Sequence, residues 1–361
     1  MVALAERLPR DRFDPEFVLM TRTGPLGEHA ARAGIRIRVL DWGEGRPAYR
    51  HGPDVARLVR TIARGRYDIV DAWLFHAYSV MSLARPLTRV PVLIAGRRSL
   101  SDHKRALGPA GRLLDRVTRN RVDAIVANSF AVRDEVAGYE EIDKARIRVI
   151  HNGIDLLAPQ AGAGRETIRA GWGAGPDDVV LGSVANYKPG KGLETLIRAF
   201  ATVARDGPGR RLVLVGEGRR RPELERLVAD LGLGDAVTLV GHVADARELV
   251  GAFDVAVQSS ESEGLPNAVL EAAAAGVAVV ATDAGGTREI LDGGRVGVLV
   301  PVRSEEALAA GMRQLIGDES LRQELGELAQ AFVLETFGMD RFVRETAALY
   351  EELAAAKGIR R

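Results

Sequence analysis

Val179-Val-Leu-Gly-Ser-Val184-Ala-Asn-Tyr-Lys-Pro-Gly-Lys191-Gly192 joins an apolar, β-branched run to a turn rich in Gly and Pro. Beyond it, Leu193, Leu196, Ile197, Phe200 and Ala204 recur at helical spacing, and a second apolar run follows at Leu212–Val215. A run of six residues, apolar but for Ser183, is strand length, and the next stripe is one face of a helix. Strand, helix and strand in this order form a parallel βαβ unit.

The pattern repeats in both directions. Before residue 151 the strand candidates are 17–20, 35–40, 69–72, 90–94, 124–127 and 147–150. After it they are 179–184, 212–215, 237–240, 255–258, 277–281 and 297–300. Helical stripes such as Val55, Leu58, Val59 and Ile62 lie between them. Strands that are apolar throughout belong to parallel sheets covered on both faces. The alternation occurs twice, so the reading is α/β with two doubly wound, Rossmann-like domains. The 361 residues suit two domains. The break falls within 155–176, where Ala158-Pro-Gln-Ala-Gly-Ala-Gly164 is loop-like. The domains expected are 1–157, 158–338 and a C-terminal helix, 339–361, packing back on the first.

Charge separates the halves. The chain carries 50 Lys+Arg against 49 Asp+Glu. Residues 1–150 hold 27 and 18 of these, and residues 151–361 hold 23 and 31. A net charge of +1 argues against a general nucleic-acid binder. With no cysteine there is no disulfide, thiolate nucleophile or Cys-based zinc site, which fits a cytoplasmic protein. The longest apolar stretch, Ala272 to Ala281, is half the roughly 20 residues a spanning helix needs. The segment Met1-Val-Ala-Leu-Ala-Glu-Arg-Leu8 reads as mid-helix, with no cap before it.

Chemistry concentrates after strands of the second half. Glu263-Gly-Leu-Pro-Asn-Ala-Val-Leu-Glu271 follows one strand and precedes another. Pro266 suits a helix entrance, which places Glu263 in the loop and Glu271 about a turn inside the helix. A helix N-terminus seats phosphate, and two flanking carboxylates accept hydrogen bonds from sugar hydroxyls. Acids that merely favour the helix dipole fit the same spacing. Lys191 lies in a Gly-rich strand-to-helix turn suited to a pyrophosphate, though Gly and not Ser/Thr follows it, so this is not a Walker A loop. Val215-Gly-Glu-Gly218-Arg219 is a G-x-G without its third glycine; a ligand-free turn fits it equally. With Gly285-Gly286, four loops gather at the carboxyl edge of one sheet and point to a nucleotide site.

At these residues the chain resembles retaining glycosyltransferases of family 4, which have the GT-B fold. The segments that carry the resemblance, in family order, are Asn128-Ser129-Phe-Ala-Val-Arg133, Ile150-His-Asn152-Gly153-Ile-Asp155, Lys191-Gly192-Leu-Glu-Thr-Leu-Ile-Arg-Ala-Phe200, Val215-Gly-Glu-Gly218, Glu263–Glu271 and Thr282-Asp-Ala-Gly285-Gly286. The resemblance implies two domains facing a cleft and transfer of a sugar from a nucleotide-diphosphate sugar to a glycan, lipid or small-molecule hydroxyl. It implies that Lys191 binds the diphosphate, Glu263 contacts the donor sugar, Glu271 holds the ribose, and the amides of Gly264, Leu265, Pro266 and Asn267 flank the distal phosphate, Pro266 through its neighbours. The nucleotide sugar is a co-substrate; no cofactor is implied, and no metal, since the chain has no Asp-x-Asp motif.

Departures accompany it. Relatives carry an Arg five residues before the Lys; here the position is Asn186, with Lys188 or Arg219 as stand-ins. In the first half, Asp71-Ala-Trp73-Leu-Phe-His76 resembles a subgroup with a Trp-Leu-Phe-His segment, so His76 is an acceptor candidate or a locally bonded histidine. Arg97 and Arg98, candidates on the acceptor side, either neutralise phosphate on donor or acceptor or form a solvated pair. The Arg-rich segment 97–121 is either a solvated helix face or a contact for anionic lipid on the inner face of a membrane. The resemblance also implies a strand and loop before Met1, roughly 20–25 residues, with that strand central in a 3-2-1-4-5 order. A sugar-nucleotide 2-epimerase and a non-catalytic sugar-nucleotide binder share most of these features.

Overall fold

The computed structural model describes residues 1–42, 52–100, 108–155, 163–243 and 245–359. It divides into two units, one of Met1–Gly153 with Met339–Arg361 and one of Ile154–Gly338.

In the first unit, helix α1 (Val2–Arg7) precedes β1 (Glu16–Leu19), α2 (Pro25–Arg32) and β2 (Arg36–Val39). Helix α3 (Gly52–Gly65), β3 (Ile69–Trp73), α4 (Leu74–Thr88) and β4 (Val92–Arg97) follow, then α5 (Gly108–Arg119), β5 (Ala124–Ala127), α6 (Phe130–Glu140) and β6 (Ile147–Val149). Every pairing is parallel, and β4, buried at all six positions, is the apolar run that a sheet covered on both faces requires. Strands β1 and β2 form a two-stranded sheet, and β3-β4-β5-β6 a separate one. A cavity of about 510 Å³ lies between β1 and β3 and is lined by residues of both.

In the second unit α7 (Ala163–Gly171) leads into β7 (Val179–Val184), α8 (Leu193–Ala204), β8 (Arg210–Val215), α9 (Arg221–Asp230), β9 (Val237–Gly241) and β10 (Val255–Gln258). Then come α10 (Asn267–Ala274), β11 (Ala278–Thr282), β12 (Val298–Val300), α11 (Glu305–Gly317) and α12 (Glu319–Phe337). The six strands form one parallel sheet in the order β12-β11-β10-β7-β8-β9. Each face has its own core. Leu196, Ile197 and Phe200 of α8 pack with Leu308 and Met312 on one side; Val269 and Leu270 of α10 pack with Val333 and Phe337 on the other. All twelve strands read from periodicity are present, with ends shifted by up to three residues.

After Gly338 the chain rejoins the first unit as α13 (Met339–Ala356). Phe342, Leu349 and Tyr350 pack with Leu4, Leu8, Val92 and Ile94. The Tyr350 hydroxyl donates to Asp71 Oδ2 at 2.8 Å. Burial raises the pKa of this carboxyl, while the hydrogen bonds from Trp73 and Tyr350 and the charge of Arg98 oppose the rise.

Arg97, at the end of β4, is 3% exposed and bonds both oxygens of Glu140 at 3.2 Å. Its guanidinium lies 3.5 Å from the centre of the Tyr78 ring. Removing one member of a buried pair strands the other charge. Glu140→Ala should therefore cost about 3–5 kcal/mol, read as a lower urea midpoint for the first unit. Replacing both partners by Met and Leu should restore most of the loss.

Candidate functional site

Successive strands of the second unit are added outward from β7 through β8 to β9, and outward from β10 through β11 to β12. Strands β7 and β10 pair with each other, Val255 with Leu181 and Ala256 with Gly182. Loops leaving the carboxyl ends of these two strands therefore part in opposite directions, and the crevice so formed is where open α/β sheets bind ligands. Lys191 is in the loop after β7, and Glu263 in the loop after β10.

Backbone contacts hold these loops at close range. Glu261 N donates to Gly190 O at 2.9 Å, and Ser259 Oγ donates to Lys191 O at 3.0 Å. Gly192 has φ +64°, and a Cβ there would stand 2.0 Å from Ser259 O. Gly218 packs as tightly, since its Cβ would meet Tyr187 O at 2.3 Å. Tyr187, fully buried, donates from N to Glu217 O at 2.9 Å and from its hydroxyl to Leu214 O at 2.8 Å, tying the loops after β7 and β8 together. Gly286 N donates to Gly264 O at 3.1 Å, which adds the loop after β11.

The charged groups meet across this frame. Lys191 Nζ donates to Glu263 Oε1 at 2.5 Å, and both side chains are mostly covered. Gln258, the buried last residue of β10, has Nε2 3.5 Å from the same carboxylate oxygen. Its Oε1 accepts from Thr282 Oγ1 at 3.0 Å. Gln258 escaped the sequence reading; the signal was a polar residue closing an otherwise apolar strand, Val-Ala-Val-Gln258. Gly264, Leu265 and Pro266 are buried at the entrance of α10, and Asn267 is exposed at its first turn. Glu271 lies one turn inside α10. Burial raises its pKa to about 7; Arg247 pulls it down and Asp245 pushes it up. Asn186, Lys188 and Arg219 present exposed side chains from the loops after β7 and β8.

The first-unit candidates divide. His76 is exposed in the first turn of α4, its ring 5.5 Å from that of Phe75. Arg98 is half-buried, stacks 3.1 Å from the centre of the Trp73 ring and bonds Asn152 Oδ1. Burial lowers its pKa to about 10, against the pull of Asp71 and Tyr350. Arg97 is not a solvated cation, because Glu140 and Tyr78 enclose it. In the Arg-rich segment, Lys104 and Arg105 lie outside the described residues. Arg119 bonds Glu140 O, while Arg116 and Arg121 are exposed.

The family model described as Glycosyltransferase Family 4 matches residues 1–156, and that described as Glycosyl transferases group 1 matches residues 164–332. A D-inositol 3-phosphate glycosyltransferase of Kineococcus radiotolerans is 32% identical, the match covering 82% of this chain and 75% of the relative. The chain belongs to glycosyltransferase family 4. Its fold is GT-B, and it is a glycosyltransferase. The lipopolysaccharide core biosynthesis glycosyltransferase LpsE of Rhizobium meliloti is 33% identical over 63% of this chain and 65% of its own length. The crystal structure of Anabaena HepE in complex with UDP-glucose has the same fold, with a TM-score of 0.83 and 24% identity over 97% of this chain and 94% of that one.

The close approach of Gly192 to Ser259 sets the Lys191 loop against the Glu263 loop. Gly192→Ala should strain a left-handed residue and push the loops apart, a loss of roughly 2 kcal/mol or more, measured by urea unfolding of the second unit.

Proposed function

We propose that this family 4 enzyme moves a sugar from a nucleotide-diphosphate sugar to an acceptor hydroxyl with retention of anomeric configuration. The observation that carries the reading is the Lys191–Glu263 pair, 2.5 Å across the switch point of the sheet and beside the entrance of α10. Lys191 has three donors and Glu263 is an acceptor. A diphosphate in the crevice takes the lysine as counter-ion, with amides at the start of α10 on the distal phosphate. Glu263 then accepts from hydroxyls of the sugar, and Glu271 from those of the ribose.

In this reading transfer is front-face. As the bond from the anomeric carbon to the diphosphate oxygen breaks, the departing phosphate takes the acceptor's proton, and the acceptor oxygen joins the same face of the sugar. Lys191 stabilises the charge that grows on the leaving group, the kind of interaction that counts most in a preorganised site. Lys188 and Arg219 add positive charge where Asn186 has none. On the first unit, His76 and Arg98 are the acceptor-side candidates. The bound UDP-glucose of the Anabaena protein supports UDP-sugars as the first donors to try. The names of the relatives put a phosphorylated polyol and a core oligosaccharide first among acceptors. Docking on anionic lipid through 97–121 rests on a smaller charge than the sequence count, since Arg97 is enclosed.

Lys191→Ala should lower turnover of the donor by about 10²-fold or more, with the product's anomeric configuration read by NMR in the parent enzyme. Wild-type turnover in the variant, or an inverted product, would end the reading. Glu271 predicts a pH effect of definite sign. With its pKa near 7 instead of the ordinary 4.5, the carboxyl is mostly protonated at pH 6 and loses the charge-assisted bonds that its carboxylate makes to the ribose hydroxyls. Donor affinity should therefore rise about tenfold from pH 6 to pH 8, followed by thermal shift or calorimetry with a UDP-sugar. Glu271→Gln should flatten that dependence.

A further inference from the structure

We propose that Glu263 acts as an interlock on Lys191: the site takes a nucleotide-diphosphate sugar in preference to the bare nucleoside diphosphate, and gives up the latter once the sugar has gone. In the functional reading above, on which this rests, Lys191 is the counter-ion of the diphosphate. The two side chains are only 21% and 13% exposed, and Nζ donates to Glu263 Oε1 at 2.5 Å. A diphosphate must therefore compete for the lysine with a carboxylate already in contact with it.

The frame around the pair decides which group moves. Ser259 Oγ donates to Lys191 O at 3.0 Å, Glu261 N donates to Gly190 O at 2.9 Å, and Gly192 lies against Ser259 O. The backbones that carry the two charges are thus fastened to each other, so the charges do not separate by parting the loops. Lysine has a flexible four-carbon stem. It leaves Glu263 by turning its own side chain, and the carboxylate stays behind.

What stays behind is poorly matched. Among the described residues, the other side chain bonded to Glu263 Oε1 is Gln258, with Nε2 at 3.5 Å, the far limit of a hydrogen bond. Gln258 is itself held by Thr282 Oγ1 at 3.0 Å. A covered carboxylate that loses its cation is strongly penalised, and here it also faces the negative charge of the diphosphate that drew the lysine away. A sugar on the distal phosphate answers both, because its hydroxyls donate to Glu263 in place of the lysine. UDP has no hydroxyl beyond its distal phosphate. The preference is thus a difference of affinities that comes from an unmatched group in the wrong complex. After transfer Glu263 is again without a donor, recovers Lys191 and weakens the hold on the product.

Calorimetry on the full chain with UDP, UDP-glucose and inorganic pyrophosphate tests this without any assay of transfer. In Glu263→Gln the amide no longer holds the lysine as a counter-ion. UDP and pyrophosphate should each bind about tenfold more tightly than to the parent, while UDP-glucose gains nothing. Pyrophosphate carries neither base nor sugar, so its result is independent of the base the site prefers. Gln258→Leu removes the remaining donor to Glu263 and should move UDP the other way, weakening it about threefold. Lys191→Ala separates this proposal from the reading beneath it. If all three ligands bind that variant as they bind the parent, the functional reading falls and the interlock with it. If Lys191→Ala weakens all three, yet Glu263→Gln binds UDP and pyrophosphate no more tightly than the parent or Gln258→Leu binds UDP no more weakly, the interlock alone is overturned.

Discussion

Strands β7 and β10 touch through two residue pairs only, and the candidate site of the second unit depends on that short contact. It is pinned at its base. Asp254, just before β10, accepts from Val180 N at 2.7 Å, while its own N–H donates to Val180 O at 2.8 Å. Arg165 and Arg169 of α7 close on the same carboxylate at 2.5 and 2.8 Å. Phe253 lies over Gly182, where a Cβ would stand 2.2 Å from the ring. At the other end the loops diverge, and Gly192 lets them pass within contact distance of Ser259. A well-anchored base with an open top keeps Lys191 against Glu263.

Burial of carboxylates is handled in two ways. Glu140 is paired with Arg97, so its charge has a partner inside the first unit. Glu271 is covered, the charge of Arg247 opposes the cost without cancelling it, and its pKa moves toward neutrality. The first is a structural arrangement; the second leaves a group whose charge responds to its surroundings. That contrast separates the two carboxylates better than their place in the sequence does.

The strands were plain in the sequence because parallel strands covered on both faces are apolar at nearly every position, as β4 is up to Arg97 and β7 is apart from Ser183. The loops of the site were legible for a related reason. Glycines at 192 and 218 and the carboxylates at 263 and 271 stand where strand periodicity stops. Pairing across long separations was not legible. Arg97 looked like a free cation because its partner lies in α6, and Gln258 looked like a plain strand residue because its partner Thr282 lies in β11. Charge counting misled for the same reason. Several arginines of the basic first unit are turned inward, among them Arg85, which bonds the carbonyls of Arg121 and Pro91.

The return of α13 to the first unit bears on how the protein is made. Phe342, Leu349 and Tyr350 complete a core that begins with Leu4 and Leu8, yet residues 154–338 are synthesised in between. At roughly 5–20 residues per second, that interval is on the order of ten to forty seconds. During it the later unit can finish folding while the earlier one waits with Val92 and Ile94 uncovered. The core of the first unit is therefore complete only once α13 has been made.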